Sequence, residues 1–129
     1  MAMAFATILV ASFLFAPPAH AADNWSGVWH TEHKFGSPKL KLDLDKEKGP
    51  DHLDGTYKNS DDTKGKIWGE VSKSGGEEVW EGRFKDNNGN SKGKFHIVLK
   101  SDKVSFKGWF KTCGNFVCSE KYKWTGEHA

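Results

Sequence analysis

Past residue 22 alanine and proline are scarce, and so are the signatures of common catalytic machinery. Past Ala22 the only alanine is Ala129, and two of the four prolines are the adjacent Pro17 and Pro18. A stretch so poor in the best helix former, which holds all 14 Gly and all 6 Trp of the chain, is built for strands and turns. Charge of one sign is also lacking: 19 Lys+Arg against 17 Asp+Glu leave a formal net charge of +2. That balance gives no bulk-charge argument for a nucleic-acid partner. The charge signs alternate along the sequence, as on solvated strand faces. No Ser-His-Asp order, nucleophile elbow or phosphate-cradling glycine loop is present. The carboxylates are numerous, but nothing in their spacing singles out a pair for glycoside hydrolysis. A non-enzymatic protein without a cofactor is therefore expected, with a small hydrolase as the minor alternative.

The first residues read as a targeting signal. Ala4 to Ala16 form an apolar stretch, followed by Pro17-Pro18 and then Ala19-His20-Ala21, whose small first and third residues suit a signal peptidase. The apolar stretch, about a dozen residues, is too short to span a bilayer. No Lys or Arg precedes it, which departs from the usual pattern. Residues 1–21 are thus expected to be a signal peptide cleaved after Ala21, with 22–129 forming one domain of a secreted or periplasmic protein. No cysteine lies near the cut, so no lipid or membrane anchor is expected. In that compartment Cys113 and Cys118, the only cysteines, should form a disulfide across a short hairpin. Closing so short a loop contributes roughly 2 kcal/mol. Four intervening residues fit a redox motif poorly, and two thiols alone fit zinc poorly.

The dominant pattern is a glycine in mid-strand with large apolar residues two positions away. It appears as Trp25-x-Gly27-x-Trp29, Leu53-x-Gly55-x-Tyr57, Ile67-x-Gly69-x-Val71 and Trp80-x-Gly82-x-Phe84. It continues as Gly93-x-Phe95, Phe106-x-Gly108-x-Phe110 and Trp124-x-Gly126. Residues i and i+2 of a strand share a face, so each glycine sits beside its aromatics. Leu40, Leu42 and Leu44 mark a further strand. The spacing predicts strands near 25–33, 39–45, 53–58, 65–72, 78–85, 92–100, 103–111 and 120–127. Turn-rich connections too short for helical crossovers make neighbours antiparallel. An all-β, eight-stranded up-and-down meander closing into a small barrel is the arrangement that leaves no open edge.

Turn positions predict register. A two-residue turn at Ser101-Asp102 pairs Leu99 with Val104, Ile97 with Phe106 and Phe95 with Gly108. A turn at Asn88-Gly89 sets Phe84 against Gly93 and Gly82 against Phe95. A turn at Ser74-Gly75 sets Gly69 against Trp80. Interior aromatics would then face glycines, which explains the repeat by architecture alone. The same parity puts Trp68, Val79, Val98 and Trp109 outside, with Lys94 opposite Trp109. Scattered surface aromatics are ordinary, but two outward tryptophans also suit an interface or a platform for sugar rings.

Metal chemistry finds little support. His30 and His33 fall on opposite strand faces, His52 reads as a turn residue, His96 faces outward and His128 is terminal, so solvated histidines are expected. Asp43, Asp45 and Glu47 share a face, more often a wet strand side than a cation site. Asp86-Asn87-Asn88-Gly89-Asn90 has its glycine misplaced for a calcium loop and lacks the closing Glu.

Gly27-Val28-Trp29 resembles the first-strand Gly-x-Trp of the calycin barrels, the group of lipocalins and avidins, and Gly55-Thr56-Tyr57 resembles an avidin strand. The resemblance implies a barrel with a ligand in its mouth. In avidins the matching tyrosine, an Asn two after the first-strand Trp and a Ser after the next Gly hold biotin. Here Thr31 takes the Asn position, and Gly36-Ser37 comes two residues late. The expectation is a small apolar or amphipathic ligand held by Trp29, Tyr57, Trp80 and Trp124. The alternative is a surface module, a protease inhibitor or glycan binder, using Trp68 and Trp109 or the disulfide loop with Phe116.

Overall fold

Strand β1 (Gly27–His33) opens a meander that continues through β2 (Lys39–Leu44), β3 (His52–Lys58) and β4 (Lys64–Ser74). It is completed by β5 (Glu77–Asp86), β6 (Lys92–Leu99), β7 (Ser105–Thr112) and β8 (Tyr122–His128). This computed structural model describes residues 21–45 and 47–129, so the segment read as a signal peptide lies outside the described residues apart from Ala21. Each strand pairs antiparallel with the next, and β8 returns to β1 with Gly126 opposite Thr31, closing the barrel. The strands begin and end within two or three residues of the positions the repeat predicts.

One register prediction matches: Phe84 faces Gly93 and Gly82 faces Phe95. Two others shift. The β4–β5 turn is Gly75-Gly76, both at positive φ (59° and 85°), the backbone a tight two-residue hairpin prefers. Gly69 therefore lies opposite Gly82, and Trp80 opposite Val71. The β6–β7 connection is longer than two residues. The Asp102 carboxylate accepts hydrogen bonds from the backbone N–H of Val104 and Ser105 (2.9 and 3.0 Å) and from the Ser105 hydroxyl (2.7 Å). With Lys103 at φ 63°, this loop sets Leu99 opposite Phe106, Ile97 opposite Gly108 and Phe95 opposite Phe110. Both shifts are of two residues, which preserves the inner and outer faces.

The first strand also starts later than its pattern implies. Ala21–Trp25 forms a short 3-10 turn that carries Trp25, fully buried, across one end of the barrel. The Trp29 indole N–H donates to the Trp25 carbonyl at 2.8 Å. Trp25, Trp29, Trp80 and Phe106 pack with ring centroids 5.4–6.2 Å apart and fill this end. The buried Glu78 carboxylate clamps the same end, accepting from the Asn24 amide (3.0 and 3.1 Å) and the Lys103 ammonium (2.8 Å). Burying a carboxylate is tolerable when it is paired in this way. The opposite end, where β1–β2, β3–β4, β5–β6 and β7–β8 connect, stays open.

Candidate functional site

The open end holds a cavity of about 450 Å³. Its walls are mainly rings and aliphatic chains: Phe35, Leu40, Tyr57, Ile67, Phe84, Phe110 and Trp124. Inward parity brings these side chains together from β2, β3, β4, β5, β7 and β8, and the β1–β2 connection adds Phe35 over the rim. Phe35 is 62 % exposed and packs edge-on against Tyr122 (5.0 Å) and Phe110 (6.5 Å).

Polar side chains gather at the rim, where Asn59, Ser60, Asp61, Thr63, Ser91 and Thr112 border the opening, and Asp86 and His33 also line the cavity. Asp86 ends β5 pointing inward, and the Tyr57 hydroxyl donates to its Oδ1. The turn fixes Asp86 in place, because its N–H donates to the Ser91 carbonyl at 2.7 Å and its carbonyl accepts from Gly89 at 2.9 Å. Burial, reinforced by the neighbouring Asp86 carboxylate, pushes the Tyr57 pKa well above the ordinary phenol value. Tyr57 is thus a fixed donor at any physiological pH, while Asp86 keeps a second oxygen with no partner among the described residues. His33 lies across the cavity, its ring 4.8 Å from that of Phe110. Burial lowers its pKa, which favours the neutral imidazole. Its Nδ1 accepts from the Phe35 N–H at 3.0 Å, leaving the proton on Nε2.

Of the four residues expected to hold a ligand, Tyr57 and Trp124 line the cavity. Trp29 and Trp80 lie in the filled end with Trp25 and do not. Phe84 and Phe110, members of the repeat but not among those four, line the cavity too, as do His33, Phe35 and Asp86, which lie outside the repeat. Their signal was parity: His33 and Asp86 continue the inward rows of Trp29 and Phe84 at the strand ends.

The outer tryptophans are not one platform. Trp68 on β4 and Trp109 on β7 are half-buried and separated by β5 and β6. With the shifted β6–β7 register, Lys94 faces Lys111, and Trp109 instead faces His96. The His96 ring stacks on Trp109 at 5.5 Å and 5°, and Lys121 and Lys111 lie 4.7 and 5.5 Å from the ring centre. Val79, placed outside by parity, is nevertheless buried. Cys113 and Cys118 are joined by a disulfide, and the loop they close presents Phe116 at its tip, 98 % exposed.

The readings of His52 and His128 need correction. His52 is not a solvated turn residue but the buried first residue of β3. Its Nδ1 lies 2.6 Å from Glu70 Oε1 and its Nε2 2.8 Å from Asp54 Oδ1. Burial opposes the charged ring, but the two carboxylates outweigh it and raise the pKa. His128, though next to last, sits edge-on over Trp29 at 4.8 Å, with Nε2 2.8 Å from the Ser26 carbonyl. Among the described residues no group of three or more His, Cys, Asp or Glu side chains is arranged to hold a metal ion.

The barrel and its open mouth define the molecule as a closed eight-stranded antiparallel β-barrel, an architecture compatible with the calycins. Against known proteins, the chain matches no family model and no curated protein.

Proposed function

We propose that this is an exported, non-enzymatic binding protein of calycin type that holds a small apolar or amphipathic ligand in the barrel mouth. The observation that carries the reading is the cavity of about 450 Å³, within the size range of ligand sites, with rings and aliphatic chains in its walls and polar side chains gathered toward its rim. The Tyr57–Asp86 pair gives it a polar pole. A carboxylate there, with a neutral His33 across the cavity and no Lys or Arg in the lining, favours a ligand whose polar end donates hydrogen bonds or carries positive charge. Biotin is a poor fit, because the Thr31 hydroxyl at the avidin Asn position is buried and donates to the Pro38 carbonyl at 2.6 Å. The Cys113–Cys118 disulfide accords with export, since such bonds persist in oxidising compartments.

Native mass spectrometry of protein purified from its own host tests this. A bound small molecule is expected in the wild type and absent from Ser91→Trp, which plugs the rim without touching the buried core. Retention of the same molecule by Ser91→Trp would place it elsewhere and overturn the reading.

A further inference from the structure

The outward faces carry a pattern that the linear sequence conceals. Lysines alternate with acids along the chain, but register sets cation against cation across strands. Lys85 lies opposite both Lys66 and Lys92, and Lys94 lies opposite both Arg83 and Lys111. Like charges directly opposed on an antiparallel pair are destabilising. No ion pair offsets this among the described residues, since none of these six cations is paired with a carboxylate, although Lys111 rests against the Trp109 ring. Nearby carboxylates are engaged elsewhere, Glu70 with His52 and Glu81 with His96.

Above these rows stands the disulfide loop, folded back by the Gly114 N–H donating to the Val117 carbonyl at 2.8 Å. Between loop and sheet lies a hollow of about 450 Å³, separate from the mouth. It is lined by Trp68, Arg83, Lys85, Lys92, Lys94 and Phe116. Four cations and two aromatic rings thus meet in one recess. We propose that this recess binds an anionic oligosaccharide, with carboxylate or sulfate groups on the lysines and a sugar face stacked on Trp68. Three features select this partner. The bordering disulfide accords with an oxidising compartment, outside the cytosol and nucleus where nucleic acids lie. Trp68 is the one ring of the sheet that lines the recess, with Phe116 on the loop opposite, whereas single-stranded nucleic acid is held on successive platforms. The cations line a recess behind the loop, and a flat bilayer meets a flat face.

Calorimetric titration of the intact protein with a heparin-derived hexasaccharide and an oligogalacturonate tests the site. Single-stranded DNA of matched charge and phosphatidylglycerol vesicles serve as competitors. Binding of at least one saccharide is expected to weaken more than tenfold in Lys85→Ala/Lys92→Ala and about tenfold in Trp68→Ala. It should change less than twofold in Lys73→Ala/Lys100→Ala, two exposed lysines toward the closed end. The melting temperature of Lys85→Ala/Lys92→Ala should stay level or rise, since opposed like charges are removed. Equal loss in the closed-end control would reduce the effect to bulk charge and overturn the assignment. So would Trp68→Ala binding as the wild type, a clear fall in the melting temperature of the double variant, or tighter binding of DNA or vesicles than of either saccharide.

Discussion

Gly69 and Gly82 face each other across β4 and β5, and backbone, not side chain, fills the space beside them. A Cβ at Gly69 would lie 2.0 Å from the Glu81 carbonyl oxygen, and one at Gly82 would lie 1.9 Å from that of Trp68. At Gly126 the obstruction is the Phe106 ring, 2.3 Å from the added carbon. The two kinds of glycine should respond differently. Gly82→Ala is expected to cost at least about 3 kcal/mol in denaturant unfolding, because the backbone has nowhere to go. Gly126→Ala should cost about 1 kcal/mol less in a Phe106→Leu background than in the wild type, a coupling a double-mutant cycle reads directly. Strict additivity at Gly126 would contradict this account of the repeat. His52 supplies a second test at this scale. Its pKa is raised in the folded state, so its contribution is full below the unfolded value near 6.5 and is lost as pH rises through the folded one. The stability advantage of wild type over His52→Gln should therefore shrink between pH 6 and pH 8.5, as followed by thermal melts. An advantage that grows over that interval would refute the ion-pair assignment. Side-chain facing was legible residue by residue, since period-two alternation fixes it. The polar residues that depart from the apolar inward rows, Thr31, His33, Glu78 and Asp86, are equally visible in the alternation, which does not tell which of them line a cavity. Burial of His52 was not legible, because it depends on Glu70 and Asp54 arriving from across and along the sheet.

Among elements, strands were readable and turns less so. A glycine pair can be assigned to a turn in more than one way, and Ser74-Gly75 and Gly75-Gly76 differ in which residues take positive φ and, by two residues, in the register that follows. The structure's choice agrees with the stronger requirement for glycine at both positions. The Ser101–Val104 connection turns on one side chain, Asp102, whose three hydrogen bonds lengthen the loop beyond its minimum. Trp25 was read as the start of a strand because it matches the repeat. Its capping of the barrel end depends on tertiary packing with Trp29, Trp80 and Phe106, which no local period encodes. The disulfide loop was placed correctly and is peripheral to closure, because β7 and β8 pair below it. Cys113→Ser/Cys118→Ser should thus keep its far-ultraviolet spectrum and lose about 2 kcal/mol, roughly 10 °C in Tm. Loss of the folded spectrum at 25 °C would show that the barrel depends on the staple.

Over the whole molecule the two ends divide the labour. One end is filled by Trp25, Trp29, Trp80 and Phe106 and clamped through Glu78, while the other keeps its space between Phe84, Phe110, Trp124 and the Tyr57–Asp86 pair. The interior is thus neither a uniform core nor a through-channel, and the sequence did not distinguish these, because alternation tells facing and not how far along the axis the rings meet. The near-zero net charge was similarly uninformative about distribution, since register sorts the charges across strands. The central claim concerns the open end, and an equilibrium titration with the uncharged dye N-phenyl-1-naphthylamine addresses it directly. The account predicts one site per chain, a blue-shifted dye emission on binding, and loss of that site in Ser91→Trp with the fold intact. Equal binding by wild type and Ser91→Trp, or no binding by the wild type, would contradict it.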